Sequence, residues 1–229
     1  MKYLDYYFVL SLVVLFPWVA GLVRFKSMRR MYRPFILLIT IAVLTEIVSR
    51  ITIYYFKRDN NAIINIYSLI EYILIITQFY FWRYHSRTRR WYPYFGLLCV
   101  IIWIIENLAL GNVMQDVGTV FRVSSSFIVV ILTINEVNYL IINENRNLLK
   151  NARFLICIGF LIYFLYEILL EGSIYISQQE KNSTASRIIE LSMYVNVLVN
   201  IIYGIAVCFI PKRSTITFNK EGKSLTDSF

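Results

Sequence analysis

The chain has 229 residues, 58% of them apolar and only 16% charged, against about 45–50% apolar and about 25% charged in an ordinary soluble domain. With a mean hydropathy of +0.59, a soluble globular domain is excluded. The formal charge of +9 is dispersed in short clusters between apolar runs, so there is no compact basic domain and no nucleic-acid partner is expected.

Seven apolar runs follow one another, at about 6–23, 34–56, 61–82, 91–110, 120–142, 152–170 and 188–210. Each reaches the length of about 17–25 residues that a membrane-crossing helix needs, whereas a membrane barrel would show strands of about ten alternating residues. The first run is retained as a span, because Lys2 stands beside Asp5, no small-residue cleavage site follows, and removal would leave Arg24 to Arg33 on the outer side. Pro17 removes one intrahelical bond from that span and predicts a local bend or adjustment there.

The second span, within LLITIAVLTEIVSRITIYYF, carries Glu46 near mid-depth and Arg50 one turn further out. The third places Asn61, Asn65, Ser68, Glu71 and Gln78 along one side, since spacings of three and four return to the same helix face. Glu106 and Asn107 close the fourth span. The fifth starts with Arg122, continues through Ser125, Ser126 and Thr133, and reaches Glu136 near its end. Tyr163 and Glu167 lie one turn apart in the sixth; Glu190, then Asn196, Asn200 and Tyr203, follow through the seventh. The segment SIYISQQEKNSTASR between the last two spans is the one outer loop long enough for a small lid, and NST at 182–184 fits a glycosylation pattern that chance also explains.

Sixteen basic residues lie in the three loops and the tail on one side of a seven-span chain: Arg24 to Arg33, Arg83 to Arg90, Arg146 to Arg153, and Lys212 to Lys223. Five lie on the other side and two, Arg50 and Arg122, within spans. This positive-inside asymmetry puts the N-terminus outside and the C-terminus in the cytoplasm. Trp18, Trp82, Trp91 and Trp103 fall near span ends and read as interfacial anchors, with Trp82 and Trp91 bracketing the second basic loop. Cys99, Cys157 and Cys208 sit in or at the ends of apolar spans and read as packing residues. The expected fold is therefore an all-α, seven-helix transmembrane bundle over residues 1–210, followed by a mobile cytoplasmic tail at 211–229. Its location is the plasma membrane or a bacterial inner membrane, with the lipid bilayer as a partner.

Six spans each contain or begin with a glutamate, and ionisable groups at membrane depth usually face the bundle interior or a wet cavity. Glu136 and Glu190 lie near boundaries, where solvation accounts for them. Arg50, Arg122, Glu106 and Glu167 are expected to form the shell of an outward-facing pocket, Glu46 and Glu71 its floor, and Asn196 with Asn200 a mid-depth network. Structural ion pairing is the competing reading of both arginines. Carboxylates outnumber guanidinium groups in that set, which favours a small polar, zwitterionic or amine-bearing ligand. His85, the one histidine, lies in the basic segment YHSRTRRW. There is no H-E-x-x-H, nucleophile elbow or Gly-rich phosphate loop, so no cofactor, metal or catalytic residue is assigned.

Seven spans in this orientation resemble the layout of rhodopsin-like bundles. The last span, ELSMYVNVLVNIIYGIAVCF, has no lysine for retinal, and FYFWRYHSR and YVNVLVNIIYG supply neither D/E-R-Y nor N-P-x-x-Y. No family is recognised from these residues. The expected function is ligand binding or sensing through a membrane or cytoplasmic signalling partner. The alternatives are a small secondary transporter, proton-coupled through Glu46 or Glu71, and a structural or assembly protein.

Overall fold

A computed structural model of the chain describes residues 10–57, 59–83, 87–110, 118–144, 147–179, 184–212, 217–218 and 224–225. The described residues form seven helices: α1 Leu15–Arg24, α2 Arg33–Ile51, α3 Asn61–Trp82, α4 Tyr92–Ile104, α5 Thr119–Asn143, α6 Ala152–Gln179 and α7 Thr184–Phe209. Six of these segments are long and apolar enough to cross a membrane. The described part of the first, Leu12–Arg24, is shorter than a span, and the start of that expected span lies outside the described residues. The chain is thus a helical, multi-pass membrane protein.

Local sequence explains several helix ends. A tight 3-10 turn at Leu12–Val14 precedes α1. It surrounds Val13, whose carbonyl an amide at Pro17 would otherwise take, so the expected adjustment occurs just before the proline. Pro34 and Pro93 lie in the first turns of α2 and α4, where no intrahelical donor is needed. Both helices finish in wide π turns, Thr52–Phe56 and Ile105–Leu110, and Lys57 ends α2 in the left-handed region at φ 51°. Most of the supposed lid is helix instead, because α6 runs on to Gln179 and α7 starts at Thr184. Its remaining residues, with Asn182 and Ser183 of the glycosylation pattern, lie outside the described residues. In the tail, Thr217–Phe218 (β1) pairs antiparallel with Ser224–Leu225 (β2).

Each helix packs on the next in sequence, α7 packs on α1, and α3 also reaches α5. These contacts close the helices into a ring. Arg24 bonds the end of α7, Met28 pairs with Lys212, and Arg83 and Arg153 share Glu136, so the four basic segments gather at one end of the bundle, termed here the basic end. The outer wall exposes large apolar side chains such as Val23, Leu97, Ile131, Ile142 and Leu169, while Gln78, Glu136, Glu171 and Asn65 are buried. A polar interior within an apolar exterior inverts the usual soluble pattern and suits a hydrocarbon solvent.

Aromatic packing joins the ring on the basic side of its middle. Phe35, Phe160 and Tyr203, from α2, α6 and α7, meet edge to face with centroids 5.1–6.3 Å apart, and Phe79 of α3 lies 6.1 Å from Phe160. Gly159 makes this approach possible, since a Cβ at that position would collide with the Tyr203 ring. A Cβ at Gly204 would likewise meet Phe16 of α1. Cys99 and Cys157 are buried in the apolar core, whereas Cys208 is exposed.

Polar side chains bind the two ends. At the basic end, Gln78 accepts from Phe35 N at 2.9 Å and donates to Met31 O at 2.6 Å, holding the start of α2 against α3. Arg24 donates to the carbonyls of Val207 at 2.8 Å and Ile210 at 2.9 Å, and to that of Cys208. It thereby supplies side-chain donors to carbonyls in the last turn of α7, where intrahelical donors run out. Glu136 is completely buried between Arg83, at 2.8 Å, and Arg153. Its expected solvated position is thus corrected: α3, α5 and α6 enclose it, and two guanidinium groups pair with it there. Trp82 is also not an interfacial anchor. It is 5% exposed, packed on Phe79 and Tyr32, and lies under Arg153 at 5.3 Å. Trp91 remains exposed at its helix end. At the opposite end, Asn65 accepts from Gly118 N at 2.9 Å, and its carbonyl accepts from Trp103 Nε1 at 2.9 Å.

Candidate functional site

Inside the ring, in the half away from the basic end, lies a cavity of about 500 Å³. That volume falls within the roughly 300–1,000 Å³ of small-molecule sites. Glu46, Glu71, Arg122, Glu167, Asn196 and Asn200 all border it. They come from five helices and from positions up to 154 residues apart in the chain, from Glu46 to Asn200. What unites them is helix direction: α3, α5 and α7 start at this end, α2 and α6 finish there, and each polar residue stands between its helix end and the aromatic layer.

Glu71 is buried on α3. Tyr67, one turn earlier, donates its hydroxyl to Glu71 Oε1 at 2.9 Å, so the i, i+4 spacing turns both groups into the cavity. Arg122, near the start of α5, is already engaged by two carboxylates of α6. Its Nε and Nη2 both approach Glu167 Oε1 at 3.1 Å, and its Nη1 lies 2.7 Å from Glu171 Oε1. Ser126 donates to the other oxygen of Glu167 at 3.0 Å. The arginine therefore closes an ion-pair cluster between α5 and α6. Paired charges are far less costly at membrane depth than isolated ones.

Glu46 stands at the cavity rim, more exposed than Glu71. Ser11 hydrogen-bonds to it, and Arg50, one turn along α2, interacts with it electrostatically. Asn200 donates to Asn196 Oδ1 at 2.8 Å and to its carbonyl at 2.9 Å, which leaves a preformed amide pair on the α7 wall. Between these polar groups, the rings of Tyr163, Tyr166, Tyr203, Phe160 and Phe164 complete much of the wall. Tyr166 is fixed across the α6–α7 junction by donating to the carbonyl of Ile188.

The structure sets two of the expected residues apart from this wall. Arg50 lies on α2 with its guanidinium 5.3 Å from the Tyr54 ring centroid, outside the lining. Glu106 accepts from Val120 N at 2.7 Å and Phe121 N at 2.6 Å, capping α5. Its carboxylate thus supplies acceptors to the otherwise unbonded first amides of that helix. The π turn at Ile105–Leu110 places it there.

Sequence reading omitted Glu171, Tyr67 and the aromatic wall. Glu171 fell one residue beyond the expected end of its span, yet Glu167 and Glu171 are four apart and the helix continues past both. That spacing was the available signal. Tyr67 at four residues before Glu71 was another. His85 lies outside the described residues. Among the described residues, no group of three His, Cys, Asp or Glu side chains is arranged to hold a metal ion.

Electrostatically, three carboxyl groups and one guanidinium line the cavity among the described residues. That guanidinium has Glu167 and Glu171 as partners. The wall consequently offers carboxyl groups, amide acceptors and aromatic faces, a combination suited to cations. No family model, curated protein or solved structure matches the chain.

Proposed function

We propose that the protein is a membrane-embedded binding module for a small ligand bearing a protonated or quaternary amine, and that it senses this ligand from the outer side of the membrane. The observation that carries the reading is Glu71, held by Tyr67 in an aromatic-walled cavity whose arginine is occupied by Glu167 and Glu171. A carboxylate supplies charge to the ammonium head, and ring faces supply the quadrupole attraction that suits an ammonium with several alkyl groups. The amide pair of Asn196 and Asn200 offers one further polar contact.

Sensing is favoured over passage by the opposite end of the bundle. There Arg83, Glu136 and Arg153 join three helices, and Gln78 joins a fourth element, so the polar path from the cavity is interrupted by the aromatic layer. Ligand contacts on α2, α3, α6 and α7 would shift the relative positions of these helices, and the basic end would present that shift to a signalling partner.

Titration of the purified full chain in detergent with tetramethylammonium and a series of primary amines tests the reading. At least one cation should bind saturably, and Glu71→Gln should weaken it by about tenfold or more, the scale of one lost charged contact. Absence of saturable binding across the series would remove the proposal, as would equal affinity in the Glu71→Gln protein. In reconstituted vesicles, cation flux down a gradient that disappears in the same variant would assign the cavity to a carrier.

A further inference from the structure

A second cavity, of about 880 Å³, lies on the outside of the bundle between α1, α2 and α3. Along α2 it follows Arg33, Pro34, Leu37 and Thr40, and along α3 it follows Phe81, Thr77 and Leu74. Each is a stripe spanning about 10 Å at 1.5 Å per residue. Both hydroxyls on these stripes are used within their own helices, Thr40 donating to Ile36 O at 2.8 Å and Thr77 to Ile73 O at 2.7 Å. The length of the groove is therefore apolar in character, with Leu22, Phe25 and Leu37 partly open on its walls.

Its charged groups are confined to the basic end. Arg30 and Arg33 line the groove there, both exposed, and Arg33 lies over the Phe25 ring at 5.5 Å. No aspartate or glutamate occurs between residues 6 and 45, and none lines the groove. The turn bearing these arginines is held in place, because Arg29 N donates to Pro211 O at 3.2 Å, Met28 pairs with Lys212, and Arg24 is tied to the end of α7.

We infer that this groove is a binding site for an anionic glycerophospholipid. Arg30 and Arg33 hold the phosphate, and an acyl chain runs between α2 and α3 toward Thr40 and Leu74. An amphiphile with one anionic head and an extended apolar tail matches the sequence of surfaces along the groove, cationic at one end and apolar beyond it. A free anion would find only the first part of that match.

Native mass spectrometry of the full chain in a non-ionic detergent, with phosphatidylglycerol, phosphatidylcholine or inorganic phosphate added, provides the test. Phosphatidylglycerol should be retained saturably at one molecule per chain and in preference to phosphatidylcholine. The R30Q/R33Q protein should lose about thirtyfold in apparent affinity, the combined effect of two arginines on an anionic lipid. An R89Q/R90Q protein, with equal charge removed from the next basic loop, should retain wild-type affinity. Leu37→Trp, which fills the groove without altering charge, should also reduce retention while melting like the wild type. Equal retention of the two lipids, equal loss in R89Q/R90Q, unchanged retention in both groove variants, occupancy by phosphate alone, or a protein dimer in place of the lipid adduct would each overturn the inference.

Discussion

Tyr67 hydrogen-bonds Glu71 at 2.9 Å across a single turn of α3, so this carboxyl group of the cavity wall is oriented by its own helix. Removing the hydroxyl while keeping the ring separates orientation from aromatic contact. Tyr67→Phe should fold normally and bind the amine probe about tenfold more weakly, the scale of one hydrogen bond to a charged group. Calorimetric titration beside the wild type reads the difference.

Arg122 joins α5 to α6 through Glu167 and Glu171. Arg122→Gln leaves two buried carboxyl groups without their counter-charge and should lower stability by roughly 3–5 kcal/mol. Adding Glu171→Gln to that variant should restore part of the loss, because one of the stranded charges is removed as well. A double-mutant cycle in a denaturant titration measures this coupling.

Glu136 is enclosed by Arg83 and Arg153 far from the cavity wall. Glu136→Gln should lower the melting temperature through a loss of roughly 3–5 kcal/mol and leave amine affinity unchanged. Thermal unfolding and ligand titration on the same preparation check both halves.

Gly159 admits the Tyr203 ring against α6. Gly159→Ala should cost about 1–3 kcal/mol by overpacking, and Tyr203→Leu in the same chain should recover stability by making room for the new methyl group. The single variant should also bind the amine probe less well, since Tyr203 borders the cavity.

Glu106 caps α5 through Val120 N and Phe121 N. Glu106→Ala should therefore cost about 1 kcal/mol, the usual loss of an N-cap acceptor, with ligand affinity intact. Chemical denaturation and the amine titration distinguish this from a direct contact.

The legible part of the fold was the part set by solvent. A helix of apolar residues satisfies its own backbone bonds in hydrocarbon, so the lengths of the apolar runs already located the long helices, and α3 begins and ends at residues 61 and 82 as its apolar run does. The i, i+4 relations of Glu46 with Arg50 and of Asn196 with Asn200 were also visible, because neighbours on one helix face need no knowledge of other helices.

Amino-acid order alone determined which groups had to be sheltered from lipid, and that six glutamates and two arginines lay within or at the start of apolar helices. Tertiary structure decided who shelters whom. Helical periodicity specifies the angle of a side chain around its own axis but not the rotation and height of one helix against another. Only the closed ring brings Arg122 onto Glu167 and Glu171, encloses Glu136 between Arg83 and Arg153, and turns Glu106 away to cap α5. Those matches depend on long-range packing, where shifting a helix by a single residue would rotate each charge by about 100° and break the pairing.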